Sequence, residues 1–348
     1  MLKIINGIQQ IGIGTADAKG VFDWYRQMLG FDILVFEDVA SAGLMTQYTG
    51  NRVQKRLALL AMNLGGGGGL EIWQFKDRRP KAADETLRLG DLGINAMKIR
   101  SENPNKVRER FEQQGYETPS CLGKDLSFFF RDPWQNWVQM VREDFNFSKE
   151  RGPSNGVLGA LIGVSQMDVS IEFYRKLLGY ELVEYDREGV FDDFSGWPNG
   201  NDRFRRVLLK HGKRAVGGFG ELYGPSQIEL VQALDSKSVN IFKNRWWGDL
   251  GYIHLCYDVR GMDTLRKEAD ALGHSFTVDS ADSFDMGDAA GRFGYVEDPD
   301  GTLIELVETH KVPILKKWGI YLNLKKRNPR SPLPRWCVKM LRIHRVKK

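Results

Sequence analysis

The sequence predicts an α+β fold built from four βαβββ modules. Two observations carry this prediction: the chain repeats itself once, and each repeat contains the same order of strands and helices twice. The length of 348 residues suits two ordinary domains. No apolar stretch reaches the roughly 18 residues that a transmembrane helix needs, so an integral membrane protein is not expected.

The repeat is visible as matched segments in the two halves. Residues 11–33 align with residues 160–182 at an offset of 149, and both segments carry Tyr-Arg followed by Leu-Gly and an aromatic residue. Later motifs match at offsets of 158 and 166, as surface-loop insertions in the second copy would produce. The prediction is an N-terminal domain over residues 1–148 and a C-terminal domain over residues 156–310, joined by a polar, glycine- and proline-containing linker.

Each half opens with an apolar strand, Ile8–Gly14 or Val157–Val164, which leads into an amphipathic helix. In the second half, Ile171, Tyr174 and Leu178 form the apolar stripe of that helix. Glycines stand where a helix C-cap is expected, at Gly30 and Gly179. The strands predicted next are Asp32–Glu37, Leu57–Met62 and Leu70–Phe75 in the first half and Glu181–Tyr185, Arg206–Leu209 and Gln227–Val231 in the second.

The same unit then recurs within each half. A strand at Ile94–Ile99 or Tyr252–Val259 precedes a helix at Asn105–Gln114 or Met262–Leu272, and more strands follow. Each half therefore contains two modules, which gives the four modules of the predicted fold.

The charge is divided unevenly along the chain. Residues 311–348 hold 13 Lys and Arg residues and no acid, which leaves 37 basic and 45 acidic residues in the rest of the chain. An acidic body does not suit a nucleic-acid-binding domain, so no nucleic-acid partner is expected. Two interpretations of the basic C-terminal tail stay open: a membrane-surface segment attracted to anionic lipid, and a tail packed on its own acidic body, which we favour.

Two motifs identify a resemblance to a known family. Residues 173–182 read FYRKLLGYEL, and residues 297–308 read EDPDGTLIELVE. With the four modules, they resemble the vicinal oxygen chelate superfamily, which includes glyoxalases, bleomycin-resistance proteins and extradiol-type dioxygenases. The resemblance covers residues 8–310. It implies that modules pair into cupped, incomplete β-barrels flanked by helices, each able to hold a divalent metal between the first and last strands of its modules.

The resemblance places candidate metal ligands in the C-terminal domain at Glu229, His254 and Glu305, while the fourth position is Gly159. Strand alternation puts Glu229 and Glu305 among mostly apolar neighbours, where a lone carboxylate is costly unless it is paired or bound to a metal. Two carboxylates and an imidazole suit Zn, Ni, Mn, Co or Fe. The corresponding positions of the N-terminal domain predict a domain without metal: Gln10, Glu71, Ala96 and Gln139.

A further hypothesis concerns the long segment 186–224, because loops beside a cup commonly carry substrate contacts. Its arginines and aromatic residues either shape a pocket for a small anionic or aromatic substrate or serve as ordinary packing and surface charge. The pocket candidates are Arg203, Arg205, Phe219 and Tyr223.

The function that the resemblance implies is that of a metal-dependent, glyoxalase-like lyase or isomerase, which chelates vicinal oxygens of a small substrate and stabilises an enediolate. Glu229 or Glu305 would move the proton next to the carbonyl. One alternative is an extradiol-type or hydroxyphenylpyruvate-type dioxygenase, although those enzymes use two histidines and Gly159 replaces one. Another is a non-catalytic small-molecule-binding protein. A cytoplasmic monomer or homodimer is expected.

Overall fold

The structure is a computed structural model that describes residues 2–116, 127–150, 152–281, 284–285, 290–315 and 320–347. Its strands are β1 Ile4–Gly14, β2 Ile33–Ser41, β3 Lys55–Met62, β4 Gly69–Phe75, β5 Gly93–Ser101, β6 Phe128–Arg131, β7 Trp137–Arg142, β8 Val157–Gly163, β9 Leu182–Gly189, β10 Phe204–Lys210, β11 Gln227–Ala233, β12 Gly251–Arg260, β13 Val278–Asp279, β14 Phe284–Asp285, β15 Ala290–Glu297, β16 Leu303–Leu315 and β17 Ile320–Asn323. Its helices are α1 Ala18–Leu29, α2 Pro104–Gln113, α3 Met167–Leu178, α4 Gly220–Tyr223, α5 Met262–Ala271 and α6 Arg335–Lys339.

The element order confirms the predicted mixed fold of repeated modules. The modules begin at β1, β5, β8 and β12, and each first strand is followed by a helix and then by further strands. The helix ends are also as expected: Gly30 and Gly179 adopt left-handed φ values of 79° and 76° after α1 and α3. A residue without Cβ takes this conformation at little cost, so both helices end where the sequence places a glycine.

The strands form two sheets, and each sheet contains strands from both halves of the chain. The first sheet has the order β13-β15-β16-β12-β1-β4-β3-β2, with β14 and β17 at its edge, and so joins the first and fourth modules. The second sheet has the order β6-β7-β5-β8-β11-β10-β9 and joins the second and third modules.

This topology corrects the expected pairing of modules within each half. Strand β1 pairs antiparallel with β12, and β5 pairs antiparallel with β8. The first strand of every module offers a similar open edge, so the hydrogen bonds are satisfied whichever two modules meet. The repeat therefore predicts the modules, whereas the choice of partner is made by tertiary packing.

The two modules of each half contact each other through their helices. The Tyr25 hydroxyl in α1 donates to Asp132 in the second module at 2.9 Å, and the Tyr174 hydroxyl in α3 donates to Asp298 in the fourth module at 2.9 Å. These pairs join the two repeated motifs of each half. Around them lies the main core, which contains buried apolar residues of both sheets and of α1, α2, α3 and α5.

The described part of the basic tail packs on the body of the protein. Strand β17 pairs with β16, and the following segment forms ion pairs with acids of the body. Arg345 contacts Asp32 at 3.0 Å and Glu150 at 2.6 Å, and Arg342 contacts Glu150 at 2.8 Å. Within the described residues, every helix is too short or too polar to cross a bilayer.

Candidate metal centre

Four polar side chains meet on the first sheet, although they lie far apart in the sequence. Glu71, His254 and Glu305 bring one ligand atom each to within 4.8 Å of one another. His254 Nε2 lies 3.1 Å from Glu71 Oε2 and 3.3 Å from Glu305 Oε2. The amide nitrogen of Gln10 lies 3.3 Å from Glu71 and 3.4 Å from Glu305. The group combines two residues of the first module with two of the fourth.

Strand register explains the convergence of Gln10 and Glu305. Strand β12 lies between β1 and β16, and its Cys256 is the register partner of Gln10 on one side and of Glu305 on the other. Register partners in neighbouring strands present their side chains on the same face of a sheet. Gln10 and Glu305 therefore lie on one face, with a single strand between them.

A glycine makes room for the imidazole. Gly12 is the register partner of Glu71 in β4 and of His254 in β12. Next to it the β1–β12 register shifts, and Ile253 becomes the extra residue of a β-bulge. A Cβ on Gly12 would lie 2.6 Å from Ile253 and 2.7 Å from the His254 ring. A larger residue would enter the space of the imidazole, so this position requires glycine.

The imidazole of His254 is fully buried. Its Nδ1 lies 3.3 Å from the Tyr295 hydroxyl, whereas Nε2 makes no hydrogen bond to any described residue. Burial lowers the pKa of His254, but the charges of Glu305 and Glu71 outweigh burial and raise it. Burial also raises the pKa of Glu305 to about 7, and Glu71 adds to this effect while His254 opposes it. Uncompensated negative charge in a buried place favours a cation or a proton.

The donor set fits a divalent ion. Two carboxylates and one imidazole nitrogen are ligands for zinc and for other borderline divalent metals. Rotation of the Gln10 amide would exchange its nitrogen for its oxygen, which could complete the set. The Tyr295 hydroxyl at His254 Nδ1 can fix the orientation of the ring, as partners of metal-binding histidines do.

Aromatic side chains surround the cluster. The indole of Trp247 stacks on the His254 ring with the centroids 6.3 Å apart and the planes 20° apart. Trp247 also makes an edge contact with Trp73, whose ring centroid is 4.2 Å away. Next to Trp247 lies a cavity of about 420 Å³. The cluster is therefore enclosed on this side by apolar surface that adjoins an open space.

The structure brings together only two of the three predicted ligands. His254 and Glu305 are in the cluster, whereas Glu229 lies in β11 of the second sheet. There, Glu229 Oε2 is 2.5 Å from Lys98 Nζ, and its other oxygen accepts hydrogen bonds from Tyr185 and Arg206. Burial raises the pKa of Glu229, but the cations Arg206 and Lys98 dominate and lower it to about 2. Glu229 is thus a buried ion-pair partner.

Two residues of the cluster lie in the domain that the sequence predicts to be without metal. Gln10 and Glu71 occupy the ligand positions of the first module, but the expected partners were Ala96 and Gln139 of the second module. The observed pairing gives them His254 and Glu305 instead. The one sequence signal for this site is that Gln10 and Glu71 stand at ligand positions of the first module. Because the modules were expected to pair within each half, the sequence did not indicate His254 and Glu305 as their partners.

The second sheet places different residues at the equivalent positions. Ala96, Gln139, Gly159 and Glu229 stand where the first sheet has its cluster, as the repeat offsets require. Lys98 extends its ammonium group to Glu229, so the protein itself supplies a cation there. Among the described residues, the first sheet alone holds three metal-ligand side chains in one group.

The four residues predicted to shape a substrate pocket lie elsewhere. Arg203 is exposed and pairs with Asp235, and Arg205 pairs with Asp168 and Asp186. Phe219 and Tyr223 pack in a separate apolar cluster with the segment that includes α4. None of Arg203, Arg205, Phe219 and Tyr223 lines the cavity beside Trp247. Arg203 and Arg205 thus have acidic partners of their own, and the substrate pocket suggested for these four residues stays a prediction separate from the cavity beside Trp247.

These observations define a protein of paired βαβββ modules with a buried acid–imidazole cluster in one pair. Residues 157–306 match the model of the Glyoxalase/Bleomycin resistance protein/Dioxygenase superfamily. The resemblance seen in the sequence is confirmed.

Solved structures support the fold over most of the chain. Glyoxalase I from Zea mays superposes with a TM-score of 0.53 at 13% identity, over 88% of this chain and 92% of that chain. A proposed dioxygenase from Bacillus subtilis superposes with a TM-score of 0.56 at 14% identity, over 88% of this chain and 86% of that chain. At such low identity these likenesses show the fold alone. No curated protein matches the sequence.

Proposed function

We propose that the protein is a metal-dependent isomerase or lyase of the glyoxalase type, which acts on a small substrate with two neighbouring oxygens. The observation that carries this proposal is the convergence of Gln10, Glu71, His254 and Glu305 from two modules onto one face of the first sheet. Their chemistry suits a divalent metal, and the cavity beside Trp247 gives a small molecule room to approach.

The four residues would hold the ion through oxygen and nitrogen atoms. When bound, a divalent ion supplies a Lewis acid that polarises neighbouring substrate oxygens and lowers the cost of negative charge on them. The Tyr295 hydroxyl keeps the His254 ring in place, and Trp73 and Trp247 exclude water around the cluster. Exclusion of water strengthens every electrostatic interaction within the site.

Glu305 is the residue that we assign to proton transfer at the carbon next to a carbonyl. It lies two residues after Leu303 in β16, so the two side chains share a face. Leu303 lines the cavity, whereas Trp73, which lies two residues after Glu71 on the same face of β4, does not. Neither carboxylate of the cluster lines the cavity itself, but Glu305 shares its strand face with a residue that does, and a positioned carboxylate can act as a general base.

The donor set favours this function over that of an oxygenase. Non-haem iron oxygenases use two histidines and one carboxylate with open positions. The cluster has one histidine and two carboxylates. This difference leads us to place lyase or isomerase chemistry first.

Metal content tests the site. We expect elemental analysis of the purified protein to find one divalent ion per chain, and His254→Ala and Glu305→Ala to lose it. Gln139→Ala is the matched control, because Gln139 is the second-sheet equivalent of Glu305 at an offset of 166. This control should keep the ion. Equal metal content in all four proteins would contradict the assignment.

Proton exchange tests the reaction. We expect the metal-loaded protein in D₂O to exchange the proton next to the carbonyl of α-hydroxycarbonyl compounds, as followed by ¹H NMR. Glu305→Gln should reduce the exchange rate at least about 100-fold, in line with the usual contribution of a general base. Exchange that persists unchanged after chelation, or in Glu305→Gln, would contradict the proposed function.

A further inference from the structure

The cavity of about 420 Å³ beside Trp247 has the size of a small-molecule site. We infer that it receives an uncharged aromatic group of the substrate, while the two oxygens of that substrate are held at the cluster of Gln10, Glu71, His254 and Glu305. This inference rests on the proposed function and adds the chemical class of the substrate.

The cavity adjoins the cluster through three of its walls. Trp247 stacks on the His254 ring, and Ile253 precedes His254 in the β-bulge that turns both toward Gly12. Leu303 shares a strand face with Glu305. All three of these residues line the cavity. A group attached to a molecule at the cluster therefore reaches the cavity along the surface of the first sheet.

Four further aromatic residues contribute to the lining, beside aliphatic residues and a few polar ones. These aromatic residues come from the segment before β12, from the residues after β2 and from the start of β12 itself. These walls offer flat apolar surfaces, which favour the offset or edge contacts of another aromatic ring. The aromatic residues that complete the lining are Tyr48, Phe242, Trp246 and Tyr252.

The charged groups of the lining already have partners. Arg245 donates to the backbone carbonyls of Ile241 and Leu250, and Glu297 accepts a hydrogen bond from the Tyr48 hydroxyl at 2.5 Å. Arg245 and Glu297 also carry opposite charges, so together they add no net charge to the lining. A charged substrate group would have to break one of these contacts, whereas an uncharged ring would leave them intact.

Two chelating probes distinguish the contribution of an aromatic group to binding from that of the two oxygens. Benzohydroxamate and acetohydroxamate present the same pair of neighbouring oxygens to a metal, but only the first carries a ring. We expect calorimetric titration of the zinc-loaded protein to show benzohydroxamate binding at least about tenfold more tightly, because burial of a ring in an apolar cavity is favourable.

A variant that fills the cavity tests its role. Ile241 lines the cavity, and Ile241→Trp should reduce the preference for benzohydroxamate to less than about twofold while acetohydroxamate affinity stays the same. Unchanged acetohydroxamate affinity also shows that the variant folds and keeps its metal. The matched control is Val190→Trp, since Val190 is 55% exposed and lies beyond β9 in the second sheet. This control should keep the full preference.

The outcomes distinguish the two proposals. Equal binding of both hydroxamates to the unmodified protein, or a preference that Ile241→Trp leaves intact, would overturn the aromatic-group inference and leave the proposed function standing. If neither hydroxamate bound, or if both bound equally well after zinc was removed, the proposed function and this inference would both be refuted.

Discussion

The corrected pairing of modules makes a sharp prediction for Glu71 and Glu229, which stand at equivalent positions of the repeat. Glu71 belongs to the cluster in the first sheet, whereas Glu229 neutralises Lys98 and Arg206 in the second. We expect Glu71→Gln to lose the metal and Glu229→Gln to keep it. We also expect Glu229→Gln to lose much of the free energy of unfolding.

The size of that loss follows from the burial of the ion pairs. The side chain of Glu229 is fully buried, that of Lys98 is 3% exposed and that of Arg206 is 10% exposed. Glutamine can still accept hydrogen bonds but carries no charge, so two buried cations would face only Asp193, whose side chain is 24% exposed. Removal of one partner of a buried ion pair usually costs roughly 3–5 kcal/mol. We expect a loss of this size for Glu229→Gln.

Urea unfolding of the metal-free proteins, followed by circular dichroism, measures the stability difference. Elemental analysis of the same preparations measures the metal. Lys98→Met combined with Glu229→Leu should recover part of the loss, because a buried pair replaced by apolar residues leaves no unpaired charge. The reasoning would be refuted if Glu229→Gln lost the metal while Glu71→Gln kept it, or if Glu229→Gln unfolded at the same urea concentration as the unmodified protein.

Three further predictions concern stability and the site. Burial raises the pKa of Asp258 to about 7, so the folded protein keeps a proton that the unfolded chain releases near pH 4. As the pH rises from about 4 to about 7, the free energy of unfolding should therefore fall by on the order of 4 kcal/mol relative to that of Asp258→Asn. If the urea midpoints of the two proteins changed by the same amount across this pH range, the prediction would be contradicted. Gly12→Ala should weaken zinc binding at least about tenfold, as measured by titration, because the added Cβ would displace the His254 imidazole. The control Gly43→Ala should have no effect, because a Cβ on Gly43 meets open space. Equal zinc affinities of the two variants would disprove the role of Gly12. Arg345→Ala should cost less than about 1 kcal/mol but speed up tryptic release of the tail, and an unchanged cleavage rate would show that the ion pairs do not hold it.

The sequence was sufficient to predict the modules, because each one has its own local signals. Alternating apolar residues predict the strands, and Gly30 and Gly179 mark the ends of equivalent helices. The motif around Glu305 placed that residue correctly in the last strand of the fourth module. These features depend on neighbours in the chain, so they survive whichever modules pair.

The candidate site depended on information that local signals do not contain. Gln10 and Glu71 are more than 180 residues from His254, and their meeting depends on β1 pairing with β12. Glu229 was predicted as a metal ligand in place of Glu71, because each half of the chain was expected to form its own pair of modules. The ion pair between Lys98 and Glu229 could not be foreseen either, because the two residues meet only when β5 pairs with β8 and β8 with β11.

The location of a bound ion tests the central claim most directly. Crystals of the zinc-loaded protein, measured on both sides of the zinc absorption edge, should show one anomalous peak per chain. The account predicts this peak among Gln10, Glu71, His254 and Glu305 on the first sheet. A peak beside Glu229 in the second sheet, or no peak in crystals grown with saturating zinc, would contradict it.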